Sequence, residues 1–355
     1  MRQELINSIR KDCEKSLSDY VVSLDSLKNQ AVLITGGTGF MGKWLTEAIV
    51  LLNQKHNFNV KLYLLARNIS EYREQVPHLA NLPFIDLIEQ DARNISNLPE
   101  DITYIIHAAG SPDSRKHISN PLKTIDIIYR GTHALLDACL RLPNLKKFVH
   151  ISSNYVYGHQ NDRTTNIKET EIGTADPNSV NAAYSEAKRM AETVCAVYRN
   201  QQKLPIVIVR PFAFIGPYQE LEKPWAINNF IRDSILGGPI RILGNENTVR
   251  GYMYGSDMAF WLLKALAQGK TGAIYNVGSD QAITLKALST KITLNFNNKI
   301  DVLVKSSKTY PLSPVVSVAD TIHIRTDLQV KQIFDLESAL KRTIDWYKQA
   351  EQPNY

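Results

Sequence analysis

The sequence predicts an α/β fold: a doubly wound parallel sheet with helices on both faces and a smaller lobe from the C-terminal part of the chain. Three observations carry this reading. Six apolar runs, AVLIT (31–35), VKLYLLA (60–66), FIDLI (84–88), ITYIIHAA (102–109), KKFVHIS (146–152) and LPIVIVRP (204–211), are near-continuous rather than alternating, which marks strands buried on both faces. Segments with helical apolar spacing separate them. The first run ends in four glycines within seven positions, Gly36, Gly37, Gly39 and Gly42.

Taken in order, residues 1–29 precede the first strand. Leu5, Ile9, Cys13 and Leu17 recur there at helical spacing, so this stretch is expected to be a helical extension packed on its own subunit or on a neighbour. Residues 30–217 hold the six runs and form the sheet domain. After Pro217 the pattern turns irregular, with Pro224, Gly237, Gly238, Pro239, Gly244 and Gly251 as punctuation. Residues 218–355 are therefore expected to form mainly a smaller lobe, with the chain returning to the sheet and a surface helix over 336–348. Two helical segments, 122–140 and 183–199, carry more apolar positions than one sheet-facing stripe needs: Ile128, Leu135 and Cys139 in the first, Met190, Val194 and Val197 in the second.

Composition narrows the class. The 355 residues can bury a large core, and apolar and charged fractions of 44% and 21% are those of an ordinary globular chain. The first fifteen residues are charged and lack the apolar centre of a signal peptide, and no run is long enough to span a membrane. Cys13, Cys139 and Cys195 are odd in number and widely spaced, which suggests neither disulfides nor a metal site. A reducing, cytoplasmic setting is expected. The net charge of +6 is scattered, with no basic and aromatic patch for nucleic acid.

The glycine turn admits two readings. Gly37 to Lys43 fits the opening of a P-loop, but the next residue, Trp44, lacks the hydroxyl that would ligate magnesium. Gly36, Gly39 and Gly42 instead fit a strand-to-helix turn that lets backbone approach a pyrophosphate at a helix N-terminus. Other strand ends suit a dinucleotide. Asp91 follows the third run, and the small residues Ala108, Ala109 and Gly110 follow the fourth. The second run ends in Ala66 and Arg67, where an acidic residue would mark NAD. Arginine pairs with phosphate as a fork, so NADP is favoured over NAD. Further on, AAYSEAKRMAE sets Tyr184 and Lys188 one helical turn apart. An ammonium beside a phenol lowers its pKa and makes it a usable acid/base. Ser152 and Ser153 close the preceding strand and offer a hydroxyl to the same reacting oxygen.

With these residues in place the chain resembles the extended short-chain dehydrogenase/reductase family of nucleotide-sugar epimerases and dehydratases, from about residue 30 to the end. The motifs TGGTGFMG, HAAG, SSNYVYG, YSEAK, RPFAFIGP, RGYMYGSD and YNVGS stand in the family's order. The resemblance implies a Rossmann-type fold and a set of roles. Tyr184 is the acid/base, Lys188 lowers its pKa and holds the nicotinamide ribose, and Ser153 binds the reacting hydroxyl. Gly36, Gly39, Phe40, Met41 and Gly42 bind the cofactor's pyrophosphate, Asp91 and Ala92 meet its adenine, and Ala108 and Ala109 line its path. Ser153, Asn154, Asn229, Leu243 and Arg250 hold the nucleoside-diphosphate sugar, with Asn229 and Arg250 on the diphosphate. Related enzymes pair the two apolar-rich helices with their symmetry mates, so a homodimer is expected.

Departures refine the expectation. The family's dehydratases show Asp-Glu before V-Y-G and its decarboxylases a glutamate beside the valine, whereas this chain has Asn154 and Tyr155. Ala213 replaces an asparagine near the substrate phosphates, and Ile127 and Ile128 replace asparagines before G-T. The expected activity is redox at sugar carbon 4 through a 4-keto sugar, epimerisation first and 4-keto reduction second. A dehydratase or decarboxylase would have to take its acid from SPDSRKH, which holds Asp113, Arg115 and His117. A member of a different class, an NADP sensor without chemistry, would be free to lose Tyr184 or Lys188, and both are present.

Overall fold

A computed structural model of the chain describes residues 2–18, 20–158, 166–305 and 315–350. Seven strands form one all-parallel sheet: β1 (Ala31–Thr35), β2 (Lys61–Ala66), β3 (Ile85–Glu89), β4 (Ile102–His107), β5 (Lys147–Ile151), β6 (Ile206–Pro211) and β7 (Ile274–Val277), in the order β7-β6-β5-β4-β1-β2-β3. Side chains alternate between two separate apolar clusters. Val32, Ile34, Leu62, Leu64, Ile106 and Val149 enter one, while Leu33, Leu65, Ile105 and Phe148 enter the other. A strand with a core on each side has no polar face, which is why these runs read as continuous rather than alternating.

The helices divide accordingly. Against the first cluster pack α1 (Gln3–Leu17), α2 (Phe40–His56) and a helix after residue 254. Against the second pack α3 (Pro121–Cys139) and α4 (Ala183–Gln201). The ends of the runs shift where the backbone leaves the sheet: the fourth stops at His107, so Ala108 to Gly110 form the turn above it, and the sixth starts at Ile206.

The N-terminal helix lies on its own subunit. Leu5, Ile9, Cys13 and Leu17 are all buried. Its polar side is tied down as well. Asp12 accepts from the Tyr254 hydroxyl at 2.7 Å and from Arg342, and Ser16 donates to Asp257 at 2.7 Å.

Beyond residue 217 the chain forms α5 (Ala226–Ile235), α6 (Gly255–Gln268), strand β7 of the main sheet and α7 (Leu336–Ala350). Short pairings knit the lobe together: Tyr252–Tyr254 runs parallel to Ala213–Ile215, and Val249–Arg250 lies between Ile283–Thr284 and Val316–Ser317. Trp44, the residue that rules out a P-loop, joins the two parts. It is fully buried, donates to the Pro217 carbonyl at 3.0 Å and lies where a Cβ on Gly255 would come within 2.2 Å.

The structure shows what covers the extra apolar positions of α3 and α4. Ile128, Leu135 and Cys139 are 2%, 0% and 1% exposed, and Val194 packs against the second core. The physical reason is that α3 covers both the sheet and α4, so one helix needs a wider apolar stripe than a sheet alone requires. The apolar side chains that do stay outside are Leu122, Ile125, Tyr129, Met190 and Val197.

Candidate active site

The glycine turn shows why three of its positions tolerate no side chain and what the fourth leaves open. Gly36 has φ +69°, and a Cβ there would lie 2.6 Å from the Ala108 carbonyl oxygen. At Gly42 it would lie 2.1 Å from the Gly37 oxygen, because α2 rests directly on the turn, and at Gly37 it would meet Ile34 at 2.9 Å. Gly39 differs. Its nearest neighbour would be Gly36 oxygen at 3.4 Å, so the protein itself does not demand glycine there. Gly39 is the N-cap of α2, with no side-chain cap. The first-turn amides of Phe40 and Met41 therefore face outward as donors, beside half-buried Ala108 and Ala109. Donors, helix dipole and open space above a glycine fit a pyrophosphate.

Arg67 stands exposed just past β2. Asp91 is spoken for by a partner the motif reading missed. It accepts from the Arg93 amide at 2.9 Å and from its guanidinium at 3.0 and 2.8 Å, and Arg93 continues to Asp126 at 2.6 Å. This pairing holds the Asp91 carboxyl down near 2, and the charge of Arg67 adds to the effect. Asp91 is thus an ion-paired carboxylate, with Ala92 buried beside Gly131 of α3. The D-x-R spacing was the available signal.

Tyr184 and Lys188 sit in the first turns of α4, both buried. Burial pushes the Tyr184 phenol up to about 12; a hydrogen bond with Ser153 acts in the opposite direction. Lys188 donates to the Ile151 carbonyl at 2.8 Å, and burial lowers it to about 8, with Glu192 opposing. The expectation that Lys188 depresses the Tyr184 pKa is therefore not met in this arrangement. The ammonium is engaged by the end of β5, and desolvation of the phenol dominates.

The two serines part company. Ser153 caps the turn Asn154–Tyr157, accepts from the Tyr155 amide at 3.2 Å and serves Tyr184. Ser152 donates to Glu192 at 2.5 Å, and Glu192 is fixed by Arg210 through contacts of 3.0 and 2.7 Å.

Two rings bracket the phenol. His117 stacks on Tyr184 with centroids 3.9 Å apart and planes 8° from parallel, while Tyr155 meets it edge-on at 5.5 Å and 87°. His117 is one of the three residues of SPDSRKH named as a source of an acid, and its stack on Tyr184 is not visible in that motif. Asp113, the loop's carboxylate, is committed elsewhere: it caps the helix Ser114–Ser119 and pairs with Arg115 at 2.8 Å.

The lobe closes the other side of the cleft. Asn154 donates to Ser317 at 2.8 Å, and Ser317 lies in register with Arg250 on the adjoining strand. Arg250 is half-buried and donates to the Val249 and Val315 carbonyls at 2.9 and 3.1 Å. Burial lowers its pKa, and the Tyr252 and Tyr155 phenols oppose this. Tyr155 is thus an electrostatic neighbour of both Tyr184 and Arg250. Asn229 is half-buried on α5, and Leu243 is 55% exposed. Those two are not joined to the Tyr184 group by any contact found among the described residues.

Against known proteins, residues 32–278 match the family model described as the NAD dependent epimerase/dehydratase family. A trifunctional UDP-glucose 4,6-dehydratase/UDP-4-keto-6-deoxy-D-glucose 3,5-epimerase/UDP-4-keto-L-rhamnose-reductase of Arabidopsis thaliana is 27% identical over 334 residues, covering 91% of this chain and 48% of the plant protein. The chain thus spans about half the length of that relative. A UDP-N-acetyl-alpha-D-glucosaminuronate decarboxylase of Bacillus cytotoxicus is 26% identical over 325 residues, covering 90% of this chain and 98% of the other. The crystal structure of the UDP-glucuronic acid 4-epimerase of Bacillus cereus, in complex with UDP-glucuronic acid and NAD, shares the fold. Its TM-score is 0.77 at 23% identity, over 90% of this chain and 100% of that one. No helix among the described residues is long and apolar enough to cross a membrane.

Proposed function

Because the chain belongs to the NAD dependent epimerase/dehydratase family, we propose that it acts on a nucleoside-diphosphate sugar by redox at carbon 4 and returns the 4-epimer. The observation that carries the reading is the set of groups around Tyr184: Ser153, His117 and Tyr155, with Asn154 and Tyr155 at the positions where elimination or decarboxylation would use carboxylates. Asp113 is held by Arg115 and so does not make good the loss.

The Gly36 to Gly42 turn, Asp91 and Lys188 would hold a nicotinamide dinucleotide, which would supply the two-electron oxidation and reduction. The chain's own part is proton handling and grip. Ser153 orients the sugar hydroxyl, and Tyr184 takes its proton and later returns it. Arg250 and Asn229 hold the diphosphate through charge-assisted and neutral hydrogen bonds, which leaves the sugar as the part free to present either face. Replacing Tyr184 by Phe removes only the hydroxyl, so cofactor affinity is expected to survive while turnover falls by about 10²-fold or more. Near-normal turnover would remove Tyr184 from the mechanism.

Two finer points belong to the same reading. NADP is preferred over NAD, because β2 is followed by exposed Arg67, with no carboxylate there to receive a ribose hydroxyl. Tighter binding of NADPH than NADPH's 2′-hydroxyl analogue NADH, lost in Arg67→Ala, is the expected result; equal affinities would contradict it. The functional unit is a homodimer through α3 and α4, supported by exposed Ile125, Tyr129, Met190 and Val197 on that face. A monomeric mass by light scattering at micromolar concentration would overturn this.

A further inference from the structure

One group in the site has no part in the proton transfer at carbon 4. His117 lies flat on the Tyr184 ring at 3.9 Å, and its Nε2 is 2.6 Å from the Ser111 carbonyl oxygen. A carbonyl has no hydrogen to give, so Nε2 carries the proton and Nδ1 of the neutral ring holds the lone pair. Nδ1 has no hydrogen-bond partner among the described residues and is not among their enclosed, unpartnered polar atoms. The groups facing the imidazole are the Tyr184 ring, the Ser111 carbonyl, Asp113 and Lys188. Burial holds His117 below the ordinary histidine range, with Ser111 and Asp113 opposing and Lys188 adding to the fall. At neutral pH it is a base.

We propose that His117 is a second catalytic residue, the base that exchanges the proton on a carbon next to the carbon 4 carbonyl of a bound 4-keto sugar. This rests on the nucleotide-sugar reading above and adds an activity to it. The Tyr184 oxygen addresses the oxygen at carbon 4, and a ring stacked on that phenol borders the neighbouring carbons, whose hydrogens a ketone makes acidic. The C–H bond breaks and its electron pair forms the enolate carbon–carbon double bond. The carbonyl π pair moves onto the oxygen, beside Tyr184 and Ser153. The proton goes to Nδ1, giving an imidazolium, and the reverse step restores the ketone. Nothing is oxidised or reduced.

The test supplies a UDP-4-keto-6-deoxy sugar to the intact protein in D₂O and follows its carbon 3 and carbon 5 hydrogens by proton NMR, with an enzyme-free control. Ketosugar binding is measured in parallel by saturation-transfer NMR. The wild type is expected to exchange one of these hydrogens at least about 100-fold faster than the control. His117→Phe, which keeps a stacking ring, and His117→Gln, which keeps a polar one, are expected to bind the ketosugar and exchange at the control rate. Binding by the wild type without exchange, or wild-type exchange in both variants, overturns the role of His117 and leaves the nucleotide-sugar reading standing. Absence of binding by the wild type overturns both.

Discussion

Lys188 holds an ammonium in a place that disfavours charge. Its proton leaves near 8 in the folded chain, whereas an unfolded lysine keeps its proton to about 10.4. Between those values the unfolded state binds more protons, so this residue makes the fold more stable as pH rises, and destabilises it most below about 8. Lys188→Met is therefore expected to unfold at higher denaturant than the wild type at pH 7, with the advantage shrinking toward pH 10. A difference constant across that range would contradict a buried, depressed ammonium. The same residue shows how much of the site could be read in advance. A tyrosine and a lysine four apart on a helix, after a strand ending in serines, are local facts of the sequence. The His117 stack and the division of labour between Ser152 and Ser153 are not, since each depends on a partner from a distant segment, His117 from the loop after β4 and Arg210 from β6.

Among elements, the turn between β1 and α2 separates structural glycines from one with room above it. Gly42→Ala forces a Cβ to 2.1 Å from backbone, and backbone cannot yield as a side chain tip can. Overpacking of about 1–3 kcal/mol, and loss of cofactor binding with it, is expected. Gly39→Ala meets nothing nearer than 3.4 Å, so its stability should change by less than about 1 kcal/mol. Its affinity for the dinucleotide should nevertheless fall at least about tenfold, near 1.4 kcal/mol. Calorimetry and cofactor titration on the two variants check this. Unchanged affinity in Gly39→Ala would mean that the pyrophosphate does not lie on that face. The strands themselves were legible because burial on both sides removes polar residues from them. What covers the extra apolar positions of α3 was not, because apolar content alone does not tell a helix covered by another helix of its own chain from one covered by a second copy.

At the scale of the whole molecule, the Tyr184 group lies where the ends of central strands and the lobe meet. Asn154 reaches from the end of β5 to Ser317, which is paired with Arg250, and Trp44 ties α2 to the Pro217 turn. The order of motifs along the chain announced both parts, but the cleft between them is a product of chain crossings that no local spacing encodes. β7 is an example, since it returns to the main sheet only after the chain has passed through α5 and α6. On the proposed function, this cleft performs reversible redox at carbon 4 without elimination or loss of a carboxyl group. Its most direct test is mass and NMR analysis of products from a panel of UDP-, dTDP-, GDP- and CDP-sugars incubated with the enzyme and catalytic cofactor. The prediction is a product of unchanged mass with inverted configuration at carbon 4, formed in amounts exceeding the cofactor supplied; a product that has lost water or carbon dioxide would contradict it.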